Sequence, residues 1–155
     1  MLCKRNVIMS KQYSPYPLFL ENAKTEKFRK LAAGLVKTAE EFQRLQNDFP
    51  KSIAKNRSKR RKKGSPVRHT KRQIEFLADA EKDAAKASAY LENVYRSIED
   101  ERALAKAALQ EEKFDFNSWA WLYESVHEED KPMANRIRRL QQKLIDDLES
   151  YLAEV

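Results

Sequence analysis

Five consecutive cations, Lys59, Arg60, Arg61, Lys62 and Lys63, are the residues of this chain with the clearest chemical capability. Lysine and arginine without neighbouring carboxylates replace the counterions condensed on phosphate, so such a run can hold a polyanion. It lies inside residues 51–74, which contain eleven Lys/Arg and no Asp/Glu. The formal net charge of +7 divides into +4 over residues 1–50, +11 over 51–74 and −8 over 75–155. Positive charge is therefore a property of one segment. The candidate nucleic-acid-binding residues are Lys55, Arg57, Lys59, Arg60, Arg61, Lys62, Lys63, Arg68, Lys71 and Arg72. Contact through phosphate gives affinity with little sequence specificity. The stretch KNRSKRRKK also resembles a nuclear localisation signal, a reading that applies in a eukaryotic source. Ser65-Pro66 resembles a proline-directed phosphorylation site, where a phosphate would subtract from the patch.

Arg136, Arg139 and Lys143 recur at helical spacing and form a secondary basic face. Arg136 stands early in its expected helix, where the dipole disfavours a cation, so a partner anion is one reading; the favoured one is an exposed polar face with Arg139 and Lys143 paired to Asp146 or Asp147. Phe114, Phe116, Trp119, Trp121 and Tyr123 crowd five aromatics into ten residues. Aromatic rings stack nucleic-acid bases in single-strand binders, but the carboxylates around these rings would repel phosphate. They are read as core, with Trp119, Trp121 and Tyr123 as the candidate protein interface.

Glu124-x-x-His127 has the spacing by which one helix supplies two ligands to a di-iron centre, but no second motif accompanies it. His69, the other histidine, sits in the basic segment. No glycine-rich phosphate loop, nucleophile elbow or HExxH occurs. The expectation is a non-enzyme without metal, cofactor or small-molecule ligand. Cys3 is the only cysteine, which excludes an intrachain disulfide and suits a reducing compartment. No stretch approaches the ~20 apolar residues of a membrane span, and the first residues lack a signal-peptide apolar core. A soluble intracellular protein follows, cytoplasmic or, in a eukaryote, nuclear, with Met9 a possible alternative start.

The elements that must position these residues are helical. Only two glycines and five prolines interrupt 155 residues, 35% of which are charged. The fold class is all-α, an elongated helical bundle or coiled-coil hairpin of about four helices with a basic inter-helix segment. Residues 1–18 are read as an N-terminal tail, with Pro15 and Pro17 breaking any early helix. The first helix covers 19–49 through the stripe Phe28, Leu31, Leu35, Thr38, Phe42, Leu45 and Phe49, and Pro50 ends it. Residues 50–70 form the basic flexible segment. Thr70 and Gln73 resemble a capping box, starting a long helix that continues past Gln110. Its alanine-rich stretch 78–89 supplies little hydrophobic energy and calls for a partner helix. Asp115 or Asn117 caps a short third helix, and Asp130 with Pro132 starts the last, bearing Met133, Ile137, Leu140, Leu144, Leu148 and Tyr151.

Two functions fit. One is a nucleic-acid-binding helical protein that contacts DNA or RNA phosphate without strong sequence specificity. The other is a protein–protein assembly factor (scaffold, adaptor or inhibitor), with a protein partner or as a homo-oligomer, acting through coiled-coil faces and charge asymmetry.

Overall fold

The computed structural model describes residues 13–62 and 70–154. Lys63, Arg68, His69 and the first twelve residues lie outside the described residues. The chain is all-α, with no strand among the described residues. Its elements are α1 (Tyr16–Glu21), α2 (Glu26–Lys62), α3 (Thr70–Arg96), α4 (Glu101–Ser125), a 3-10 turn (Glu128–Asp130) and α5 (Lys131–Ala153).

Most of the stripe on α2 is buried: Phe28, Leu35, Phe42, Leu45 and Phe49 are core residues, joined by Ala32 and Ala39, while Leu31 is half-buried at the edge of the core. Thr38, the polar interruption, donates its hydroxyl to the Gly34 carbonyl at 3.1 Å and so sits in the seam satisfied. Pro50 does not end this helix, which runs on to Lys62. A proline inside a helix removes one N–H and clashes with the carbonyl four residues back, costing about 3 kcal/mol. Phe49 and Ile53 on either side are fully buried. Each contributes about 1.5–3 kcal/mol of burial, enough together to outweigh the proline. One turn further on, the Asn56 amide donates to Asp130 Oδ1, tying the helix to the start of α5.

Pro15 and Pro17 begin a helix instead of preventing one. Pro17 occupies the first turn of α1, where a missing N–H is harmless, and Tyr16, Leu18 and Phe19 are buried. The expected tail is thus structured from residue 16. The break falls at residues 22–25, where the Thr25 hydroxyl accepts from the Phe28 N–H at 3.2 Å and caps α2. The long second helix is also divided. Residues 97–100 separate α3 from α4, and Asp100 Oδ2 accepts from the Ala103 N–H at 2.9 Å. Asp115 and Asn117 do not start a helix; both lie inside α4. Asp130 does precede α5, with Pro132 in the first turn, but its side chain makes no capping bond and takes the Asn56 amide instead.

α5 is the central element, packing extensively on both α2 and α4, while α1 folds back on α2. Its buried residues are Ala134, Ile137, Gln141, Leu144, Ile145 and Leu148. α3 is attached differently. Gln73 and Leu77 are buried near one end and Tyr95 near the other, but between Leu77 and Tyr95 none of the described side chains is buried. The described alanines there, Ala78, Ala80, Ala87 and Ala89, are too small to fill the space against α2 and α4.

Two substitutions on α2 separate these terms. Pro50→Ala restores an N–H to the Gln46 carbonyl and should raise stability by on the order of 1–3 kcal/mol. Ile53→Ala should lower it by about 2–5 kcal/mol. Both are read from urea unfolding followed by far-UV circular dichroism. A destabilised Pro50→Ala, or an Ile53→Ala indistinguishable from the parent, would mean that α2 does not pass through this region as a packed helix.

Candidate nucleic-acid interface and an acidic groove

The basic residues sit on two helices and the segment between them. Lys55, Arg57, Lys59, Arg60, Arg61 and Lys62 are on the last turns of α2, and Lys71 and Arg72 on the first turn of α3. The side chains of Lys51, Lys55 and Lys59 are exposed at four-residue intervals, a row about 12 Å long at 1.5 Å per residue. Cations at a helix C-terminus also favour the helix through its dipole, so the run supports the element that displays it.

Buried polar contacts fix both helices where the basic segment begins and ends. Besides the Asn56 bond to Asp130, the Gln73 amide donates to the Ser125 carbonyl at 3.0 Å and to the Ser125 hydroxyl at 3.2 Å. Gln73 is completely buried, so it anchors α3 to the end of α4 and does not serve as the second half of a capping box. Next to it, the Arg72 guanidinium lies 5.1 Å from the centre of the Trp121 ring. That contact leaves the charge accessible while it holds the side chain.

The secondary basic face is largely engaged within the chain. Arg136 pairs with Glu41 on α2 at 2.9 Å, which supplies the anion its early position in α5 calls for. Lys143 pairs with Asp147 at 3.0 Å, while Arg139 is exposed. Of the candidate protein-interface residues, Tyr123 is buried, with its ring 5.7 Å from both Phe49 and Trp119. Trp119 is half-buried and Trp121 is 39% exposed, so only Trp121 presents substantial surface. Among the described residues no group of three or more His, Cys, Asp or Glu side chains is placed so that it could hold a metal ion. No helix of the described residues is long and apolar enough to cross a membrane.

A second site was not legible in the sequence. Under the middle of α3 a groove of about 450 Å³ opens between α3, α2 and α4. Five carboxylate residues, Asp79, Glu81, Asp83, Glu111 and Asp115, line it, together with Phe76, Phe114, Trp119 and Tyr13; among the described residues no Lys, Arg or His lines it. The signal was present as two carboxylate pairs at four-residue spacing, Asp79/Asp83 and Glu111/Asp115. Which helix would face which was not.

Behind this groove Glu112 lies in a polar centre that joins three helices. The Tyr16 hydroxyl donates to one carboxylate oxygen, and the Gln141 amide donates to the other at 3.1 Å and to Asp115 Oδ2 at 3.0 Å. Burial raises the Glu112 pKa above the usual glutamate range. The two donated bonds oppose that rise, and the charges of Asp115 and Glu111 reinforce it. No family model, curated protein or solved structure matches this chain, so function is argued from its own residues.

Glu112 makes stability depend on pH in a defined direction. A carboxyl whose folded pKa is raised stabilises the fold in its protonated form, below the unfolded value of about 4.3, and loses that contribution as pH rises through the folded value. Glu112→Gln removes the charge, so its melting temperature relative to the parent should rise between pH 4 and pH 7. A difference independent of pH would show that Glu112 is ionised without penalty in the fold.

Proposed function

We propose that this protein binds nucleic acid through the phosphate backbone, without strong sequence specificity and without catalysis. The observation that carries the reading is the placement of charge. Residues 51–74 hold +11, and their described part lies on the ends of two helices whose inner faces are pinned by Asn56 and Gln73. A polycation on helix ends held in place binds with less ordering cost than the same charge on a free chain. Lys55, Arg57, Lys59, Arg60, Arg61, Lys62, Lys63, Arg68, Lys71 and Arg72 are the contact residues in this reading, and Lys51 extends the row.

The assembly-factor reading draws less support. It relied on heptad faces, and the seams of α2 and α5 are covered by packing within the chain. The exposed aromatics among the described residues are Tyr90 on α3 and Phe114 and Trp121 on α4; the latter two stand one heptad apart, a single pair and not a continuous seam.

Salt dependence tests the proposal. If the segment neutralises roughly six to ten phosphates, log affinity should fall against log salt with a slope of about −5 to −9 on duplex DNA. Replacing Lys59, Arg60, Arg61, Lys62 and Lys63 by glutamine, a good helix former, should flatten that slope by several units with helicity retained. An unchanged slope in the glutamine variant would remove the segment from the interface, and absence of binding to both DNA and RNA at low salt would end the proposal.

A further inference from the structure

We propose that the groove beneath α3 is a binding site for a linear polyamine, an extended aliphatic chain carrying several ammonium groups. The charged residues that line it, among the described residues, are all acidic. On α3, Asp79 and Asp83 stand four residues apart, and on α4 so do Glu111 and Asp115, giving two rows of carboxylates with about 6 Å of helix rise between members. That interval suits ammonium groups separated by three or four methylenes. Asp79, Asp83 and Glu111 make no hydrogen bond or ion pair with other described residues.

Carboxylates alone would select any cation; the rest of the groove narrows the choice. Ala80, Ala87, Leu77 and Leu91 contribute apolar surface, where a hydrated metal ion gains nothing and a methylene chain gains burial. Phe76, Phe114 and Trp119 add aromatic rings, which attract ammonium groups. Pro50 and Gln46 also line the groove, and proline has no N–H to give the Gln46 carbonyl, which leaves an acceptor suited to an ammonium donor.

The groove's volume of about 450 Å³ falls within the range of small-molecule sites, about 300–1,000 Å³. Ala80 and Ala87 line the groove from α3 with side chains too small to fill it.

The test is calorimetric titration of spermine and spermidine into the full, nuclease-treated chain at about 150 mM salt, where surface charges are screened beyond about 8 Å. Saturable one-site binding is expected. Asp79→Asn/Asp83→Asn/Glu111→Gln should weaken it at least tenfold, and these exposed positions leave folding intact by circular dichroism. Ala87→Leu fills the floor without touching charge and should also weaken it. Absence of saturable binding, a triple variant that binds like the parent, or an unaffected Ala87→Leu each overturns the proposal. Tetralysine binding as tightly as spermine also overturns it, by assigning the groove to peptide lysines.

Discussion

The packing of α2 through its proline is the constraint on which the rest depends. Phe49 and Ile53 are buried on either side of Pro50, and Asn56 is bonded to Asp130 one turn beyond. Were the helix to stop at residue 49, Ile53 would lose its place in the core and Asp130 its amide donor. The lysines at 51, 55 and 59 would then hang from a loop. Because the seam continues, they stand on the outer surface of a helix whose inner surface is fixed. The same proline leaves the Gln46 carbonyl without its N–H at the edge of the acidic groove.

Charge is separated by the same architecture. The basic residues extend past the last core residue of α2 and onto the start of α3, where Gln73 and the Arg72–Trp121 contact hold them. The carboxylates collect lower down, where α3 and α4 face each other across space the alanines leave open. The helix ends and the groove therefore carry charge of opposite sign.

What the sequence revealed and what it hid follow from how far each signal reaches. Heptad spacing is local, and it located most of the α2 seam and the all-α class, but in α5 only Ile137, Leu144 and Leu148 of the expected stripe are buried; Met133, Leu140 and Tyr151 are half-buried and Ala134, Gln141 and Ile145 face the core instead. Proline is a local signal too, but its effect depends on what surrounds it: Pro17 opens α1 because Tyr16, Leu18 and Phe19 have a core to enter, and Pro50 is overridden by Phe49 and Ile53. The break at residues 97–100 contains neither glycine nor proline, and its one marker, Asp100 as a cap, is not distinctive among 24 acidic residues. Gln73 and Asp130 were legible as helix-start residues, yet their side chains serve distant partners, Ser125 and Asn56. The groove required knowing that α3 faces α4, which no spacing discloses.

Hydrogen–deuterium exchange of the full chain, alone and with duplex DNA or single-stranded RNA, tests the central claim that an ordered helix presents the basic residues to phosphate. The account predicts that amides 51–59 exchange slowly in the free protein, as in a packed helix, and more slowly still when nucleic acid is added, with α4 and α5 unchanged. Exchange of 51–59 at the rate of an unstructured chain, or protection by nucleic acid confined to α4 and α5, would contradict it.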